Sequence, residues 1–245
     1  MPIKMKLIKS GVVTATLFNA VLSTTNLAAE LEKPVTTAIE TTTVMHEANN
    51  NNKRSEVRAD NISKLALMDK LAKVEFFSAT FSQQVFDEAG NELQQGSGLL
   101  SVSKPNLVHW QTILPDESLI VSDGENLWFY DPFVEQVSVY SLESAIANTP
   151  ILLITSNDEK LWQDYSVSQL TTNRYLISSN SKNSRVKSLE LSFVQNIDSV
   201  ELAAFNILDA TGQLSVISLT HENKTPDPSL FTFAVPEGVY LDDQR

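Results

Sequence analysis

Short segments in which apolar and polar residues alternate recur along this chain, and this period of two is the feature that most restricts its fold. The alternation is clearest at residues 77–85, 189–193, 200–204 and 214–216. A side-chain period of two is typical of a strand with one buried and one solvated face. The sequence therefore predicts a protein that is mainly β.

Glycine- and asparagine-containing turn signals separate these segments. They lie at Ala89-Gly90-Asn91, Asp123-Gly124, Ser179–Ser184 and Thr211-Gly212. Asp123-Gly124 is the strongest hairpin signal, because it stands between the strand-like segments 118–122 and 125–131. Short connections join neighbouring strands in opposite directions. We therefore expect a long antiparallel meander.

A helix is predicted before the first strand. Asp60 can cap it, and it runs to about Val74. Its apolar face is predicted to contain Ile62, Leu65, Leu67, Met68 and Leu71. Three lysines are expected to face solvent: Lys64, Lys70 and Lys73.

A second helical region interrupts the meander. Ser141 can cap a short helix, and Thr149-Pro150 can start a second helical turn over Ile151, Leu152, Leu153 and Ile154. Four consecutive large aliphatic residues point to all sides of a helix, so one sheet cannot cover them all. We interpret this segment as a lid over an apolar concavity. The alternative is a fully buried plug or a core strand.

The N-terminal region is typical of an exported protein. A basic start, an apolar run over residues 11–22 and a small-residue cleavage site after Ala29 predict a signal peptide at residues 1–29. Residues 30–57 are rich in Thr and Asn and are expected to form a flexible lead-in. The folded domain is then expected to span residues 58–245.

Charge and cysteine content restrict the possible partners. The formal net charge is −12, and removal of the signal with its three lysines makes it more negative. Such a protein is repelled by phosphate backbones, so we expect no nucleic-acid binding. The chain contains no cysteine. It therefore cannot carry a thioether lipid anchor, and we expect a soluble protein.

The sequence contains no motif for catalysis or metal binding. His46, His109 and His221 are far apart, and no nucleotide-binding loop is present. Gln95-Gly96-Ser97-Gly98 lacks the first glycine of a nucleophile elbow and is better explained as small residues on a crowded strand. We expect no enzyme, no metal and no cofactor.

Several blocks resemble the LolA family, the periplasmic outer-membrane lipoprotein carrier proteins. They are residues 81–85 (FSQQV), 104–110 (KPNLVHW), 115–124 (PDESLIVSDG), 127–136 (LWFYDPFVEQ), 148–150 (NTP), 231–233 (FTF) and 238–245. They follow the family order from about Asp60 to Arg245. The block at 127–136 is the most specific, because ten residues of mixed chemistry seldom agree by chance.

The resemblance implies an unclosed antiparallel β-barrel in which short helices form a lid over an apolar cavity. It also implies a carrier in the periplasm, with triacylated lipoproteins as cargo. Two further partners follow from it: an inner-membrane ATP-driven lipoprotein exporter and an outer-membrane lipoprotein receptor. We expect the carrier to be a monomer.

The resemblance also indicates candidate site residues. Those for the acyl-chain cavity and lid are Leu67, Leu71, Phe77, Phe81, Trp110, Phe129, Ile151, Leu152, Leu153 and Ile154. For the residues outside the 151–154 segment, ordinary core packing is an equally good or nearly equal explanation.

Two positions depart from the family pattern. Lys104 stands where the family commonly has an arginine implicated in hydrogen bonds to lid carbonyls. Lysine lacks the planar five-donor fork, so we expect a looser latch. Val108 stands where the family can show a phenylalanine linked to cargo transfer, and simple strand packing is the alternative role there.

Lipoprotein carriage is thus the main functional hypothesis. A carrier of another lipid or glycolipid on the same fold is the alternative, and an exported enzyme with an unrecognised site is a third class. A receptor of related fold is disfavoured, because it would need a cysteine for its lipid anchor.

Overall fold

The computed structural model describes residues 42–146, 150–156, 158–197 and 199–245. Side chains are described throughout these ranges except at residues 42–56, 150, 151 and 159. All of them belong to one compact unit, Ala38–Arg245. The predicted signal at residues 1–29 lies outside the described residues.

Twelve strands make up most of the described chain. They are β1 (Phe76–Phe86), β2 (Glu92–Ser103), β3 (Leu107–Leu114), β4 (Ser118–Asp123), β5 (Asn126–Asp131), β6 (Gln136–Ser141), β7 (Tyr165–Thr171), β8 (Arg174–Ser179), β9 (Val186–Gln195), β10 (Val200–Asp209), β11 (Leu214–Glu222) and β12 (Tyr240–Asp243). The α-helices are α1 (Thr42–Ala72) and α2 (Leu142–Ile146). The 3-10 helices are η1 (Pro150–Ile154), η2 (Glu159–Asp164) and η3 (Pro228–Phe231).

The strands form one unclosed sheet in the order β12-β6-β5-β4-β3-β2-β1-β11-β10-β9-β8-β7. Every pair is antiparallel except β12 with β6. The predicted meander is therefore confirmed, and the turn at Asp123-Gly124 does join β4 to β5. The sheet remains open because β12 and β7 do not pair with each other.

The sheet curls around one apolar face. Trp110 on β3 and Phe205 on β10 have ring centroids 5.7 Å apart, although β2, β1 and β11 lie between their strands. Two side chains so far apart in the sheet meet only if it bends round on itself. The face that carries them is therefore concave, and we call it the concave face.

Gly98 shows how tightly the concave face is packed. A Cβ atom at this position would lie 1.9 Å from the carbonyl oxygen of Gln111 and 2.8 Å from the ring of Phe81. Only glycine lets the neighbouring strand and the aromatic ring approach so closely. This confirms that Gln95–Gly98 is a crowded strand segment of β2.

The C-terminal segment covers part of the opposite, convex face. The ring of Phe233 lies 5.5 Å from that of Trp128 and 6.1 Å from that of Tyr130, and Phe231 is buried. Gln244 N donates to the carbonyl of Val139 at 2.8 Å, just beyond the β12–β6 pairing. These contacts bury apolar residues on the outer side of β4 to β6.

Helix α1 differs from its prediction. It begins at Thr42, so the predicted start at Asp60 is wrong, and residues 42–57 of the expected lead-in are helical. The sequence between Thr42 and Ala72 contains no glycine or proline that would interrupt the helix. Asp60 caps no helix; its carboxylate accepts a hydrogen bond from Val167 N on β7.

The orientation of α1 also differs from its prediction. Leu67 and Leu71 are buried as expected, whereas Leu65 is 68% exposed and Ile62 is also exposed. Lys70 is only 8% exposed and lies inside, contrary to prediction. The helix is turned this way because polar residues on one side of it form hydrogen bonds with the rest of the protein rather than with water.

That polar side protects the free edge of the sheet. Asp60 and Ser63 accept hydrogen bonds from the backbone N–H groups of Val167 and Gln169, both on the terminal strand β7. Unpaired edge groups of this kind invite pairing with other chains. Helix α1 therefore takes the place of a further strand at this edge.

Within the described residues, no helix combines the length and apolarity that a membrane crossing requires.

Candidate functional site

The end of α1, the start of α2 and η1 gather at one end of the concave face, which we call the mouth. Because strand direction alternates, the β2–β3 turn, the start of β1 and the end of β6 all lie at this end. Helix α1 therefore ends there, and α2 begins there, with Leu142 N donating to the carbonyl of Glu125 at 2.9 Å. Both departures from the family pattern lie at this end: Lys104 is in the β2–β3 turn, and Val108 is near the start of β3.

The η1 helix lies across the mouth. At one end Asn106 N, in the β2–β3 turn, donates to Thr155 O at 3.0 Å. The helix also packs on α2 and on β9. Since four strands separate β3 from β9 in the sheet order, η1 spans the width of the curled sheet.

The aliphatic side chains of η1 are removed from water. Leu152, Leu153 and Ile154 are 2%, 0% and 4% exposed, and the side chain of Ile151 lies outside the described residues. The segment is a 3-10 helix, so the alternative of a core strand is wrong. Its burial explains how a run of aliphatics on all sides of a helix is accommodated.

The concave face brings several of the predicted aromatic residues together. Phe81 and Trp110 have ring centroids 5.3 Å apart in an edge-on arrangement, and both are buried. Phe77 is buried against the ring of His221, at 5.1 Å. Phe129 lies on the same face by strand register, opposite Ile120 and Ser138, and is half-buried.

Other residues of this face were not singled out from the sequence. Phe205 completes the aromatic contact with Trp110. On β8 to β11, which we call the far wall, the other large, fully buried side chains are Tyr175, Ile177, Leu189, Leu191, Leu202 and Ile217. The alternation in β9 to β11 indicated that such residues face inward. It could not indicate that β10 returns to touch β3, because that depends on the curl of the whole sheet.

Lys104 bonds to a carbonyl at the mouth, but on α1 and not on η1. Its Nζ donates to Leu71 O at 2.5 Å, and its backbone N donates to Glu75 O at 2.9 Å. Burial lowers the pKa of Lys104, and the nearby Glu75 carboxylate opposes that shift. The ammonium thus fastens the last turn of α1, at a carbonyl that also accepts from Val74 N at 3.0 Å.

Other hydrogen bonds near the mouth lie within the η1 segment, between the β2–β3 turn and β4, and between α1 and the far wall. Thr155 Oγ1 donates to Leu152 O at 2.8 Å, and Ser122 Oγ donates to Asn106 O at 2.5 Å. The Nζ of Lys70 donates to Asn173 Oδ1 at 3.1 Å and to Gln195 Oε1 at 2.8 Å, beside the far wall. Among the described residues, the hydrogen bond from Asn106 N to Thr155 O thus holds η1 at the mouth, and those of Lys104 and Lys70 hold α1.

Val108 is 6% exposed and lies between Val102 and Ser122 on the concave face. Its side chain therefore packs inside the protein. A partner could touch it only after the mouth has opened.

The described residues hold no group of three His, Cys, Asp or Glu side chains placed to bind a metal ion. The site offers an apolar concave face with polar groups at its mouth. Such a surface binds by burial of apolar area, with no bond made or broken.

Comparison with known proteins identifies the family. The sequence model of the family described as outer membrane lipoprotein carrier protein LolA matches residues 72–234 of this chain. An outer-membrane lipoprotein carrier protein of Aeromonas salmonicida is 44% identical over 193 residues, which cover 78% of this chain and 93% of that protein. One from Proteus mirabilis is 43% identical over 180 residues, with 73% and 87% covered.

A solved structure of a LolA superfamily protein from Nitrosomonas europaea aligns with a TM-score of 0.43 at 12% identity, over 70% of this chain and 97% of that one. The extent and identity of the sequence matches to the curated relatives decide the assignment. The chain belongs to the LolA family of outer membrane lipoprotein carrier proteins.

Proposed function

We propose that this protein is a periplasmic carrier that binds the acyl chains of outer-membrane lipoproteins against its concave face. The family supports this, since the curated relatives are named as outer-membrane lipoprotein carriers. The observation that carries the proposal is the aliphatic η1 helix laid across an apolar concave face. It places removable apolar side chains where an acyl chain would lie.

A carrier of this kind is needed because acyl chains cannot cross water unaided. Exposure of a buried methylene costs about 0.8 kcal/mol, so a long chain costs on the order of 10 kcal/mol. A cargo with several chains would stay in its membrane. The carrier replaces the membrane by an apolar surface of its own and needs no catalytic chemistry.

The lid segment explains how cargo can also be released. In the empty protein Leu152, Leu153 and Ile154 are already buried, so an entering acyl chain gains burial while these residues lose it. The net affinity for cargo is the burial energy gained by the acyl chain minus that lost by the lid residues. Because these two energies are similar, the affinity stays moderate. A receptor with a slightly better apolar surface can then take the cargo without an energy source.

Two further partners are part of the proposal. An inner-membrane ATP-driven exporter would load the carrier, and an outer-membrane receptor would unload it. Residues 1–29 would direct export, leaving residues 58–245 as the carrier domain. The acidic chain, with a net charge of −12, is suited to basic docking surfaces on both partners.

Incubation of the purified protein with spheroplasts tests this function. We expect triacylated lipoprotein to appear in the medium as a soluble one-to-one complex. The Aeromonas relative serves as the positive control and buffer alone as the negative one. Failure to release lipoprotein where the relative succeeds would contradict the proposal. Mass spectrometry of the complex would reveal a glycolipid or another lipid instead, if that is the true cargo.

A further inference from the structure

We propose that Asn106 binds the amide N–H of the N-acylated terminus of the cargo. Its side-chain Oδ1 is buried and, in the part of the chain that the structure describes, has no hydrogen-bond partner. Nearly all buried side-chain oxygens in proteins are paired, so an unpaired one calls for a physical reason. The inference rests on the proposed carrier function and names a contact within it.

The backbone of Asn106 is engaged independently of its side chain. Its N–H donates to Thr155 O, and its carbonyl accepts from Ser122 Oγ. Its φ of 62° lies in the left-handed region, which glycine adopts more easily than asparagine. The local fold therefore does not require the carboxamide, and its acceptor remains available for another group.

The position of Asn106 matches the border of an acyl chain. The residue lies in the β2–β3 turn at the mouth, against the end of η1. Val108 and Trp110, two and four residues after Asn106, are buried on the concave face. A chain that lies on this face places its first polar group near the turn.

The chemistry of that polar group selects the ligand class. In an N-acylated peptide the group beyond the last methylene is an amide, whose N–H needs an acceptor when it leaves water. A free fatty acid presents a carboxylate and an ester presents only oxygens, so neither can donate to Oδ1. The unpaired acceptor therefore favours an N-acyl amide over an ester of equal chain length.

A pair of ligands that differ in one group tests this selectivity. One is an N-palmitoylated dipeptide, and the other is its ester analogue, in which oxygen replaces the amide N–H. We expect the wild-type protein to bind the amide about three- to tenfold more tightly, the value of one neutral hydrogen bond. Asn106→Gly should lose this preference while its affinity for the ester stays unchanged.

Asn106→Gly keeps the left-handed turn and both backbone hydrogen bonds, and an unchanged thermal midpoint would show that its fold is intact. The exposed Asn223→Gly serves as the matched control and should keep the preference. Equal binding of both ligands by the wild type, or a preference that survives in Asn106→Gly, would overturn the inference. Binding of neither ligand by the wild type would overturn the carrier function, and the inference with it.

Discussion

Trp110 on β3 contacts Phe205 on β10 across the inside of the curled sheet, with ring centroids 5.7 Å apart and ring planes at 81°. This edge-on contact joins two walls that the sheet order separates by three strands. Aromatic side chains of the two walls therefore meet inside the empty protein. Acyl chains must compete with this contact as well as with η1.

The first prediction is that cargo separates these two rings. In the empty protein a double-mutant cycle of Trp110→Leu and Phe205→Leu should give a coupling of about 0.5–1.5 kcal/mol, as for other aromatic pairs. With an N-acylated peptide bound, the coupling should fall towards zero, because the chain then lies between the walls. Urea denaturation with and without saturating ligand measures both values.

A neighbouring pair provides the control for that cycle. Phe81 and Trp110 are 5.3 Å apart but stand on the same wall, over Gly98. Their coupling, measured with Phe81→Leu, should survive ligand binding. A Trp110–Phe205 coupling that also survives would mean that the acyl chain lies elsewhere.

The second prediction concerns the strength of the Lys104 contact. Lys104→Arg should close the mouth more firmly, since the guanidinium can serve several carbonyls at the end of α1 at once. Lys104→Met should remove the Nζ hydrogen bond to Leu71 O, which then keeps only the one from Val74 N, and should loosen the mouth. Fluorescence of an apolar probe added to the empty protein should thus increase from arginine to lysine to methionine.

Lys160→Met is a suitable control for this series, because Lys160 is exposed and lies outside the mouth, in η2. Its probe fluorescence should equal that of the wild type. Equal fluorescence for all three residues at position 104 would show that the contact does not govern opening.

The sequence was sufficient to predict β1, β4, β5 and β9 to β11 and the turns at Ala89–Asn91, Asp123-Gly124, Ser179–Ser184 and Thr211-Gly212, because alternation and turn residues are local signals. Leu152, Leu153 and Ile154 could also be recognised as unusual from their order alone. In contrast, the side of α1 that faces the sheet was predicted wrongly. Its apolar pattern placed Leu65 inside. In the structure Asp60 and Ser63 accept hydrogen bonds from β7, and Lys64 donates to carbonyls of η2 and β7, and these contacts turn the helix.

The contacts that depend on closure of the sheet could not be predicted. Phe205 meets Trp110 only because the sheet curls, and Asn106 N meets Thr155 O only because η1 returns to the β2–β3 turn. Residues far apart in the chain determine both contacts. A local pattern holds no information about them.

The third prediction compares two lysines of α1. Lys70 is 8% exposed and donates to Asn173 and Gln195, whereas the Lys73 side chain is 53% exposed and pairs with Asp69 one turn away. Lys70→Met should lower the free energy of unfolding by about 1–2 kcal/mol, because two hydrogen bonds to a cation are lost. Lys73→Met should change it by less than about 0.5 kcal/mol.

Urea denaturation at pH 7 distinguishes the two variants. Equal effects would show that the buried ammonium gains no more from its partners than a surface ion pair does. Apolar-probe fluorescence on the same samples should rise only for Lys70→Met, since that residue fastens α1 beside the far wall.

The last prediction is a pH dependence that arises from His109. This residue lies on the convex face of β3, opposite Ser101 and Val121, where η3 packs. Burial lowers the pKa of His109 below its usual 6.5. Between that lowered pKa and 6.5 the unfolded chain binds more protons than the folded protein, so stability falls as the pH drops through this window. Urea denaturation at pH 8 and pH 5 should show a larger loss of unfolding free energy for the wild type than for His109→Gln, which lacks the titrating group but keeps every other histidine and carboxylate. The same loss in both proteins would show that His109 is not the source of the acid sensitivity.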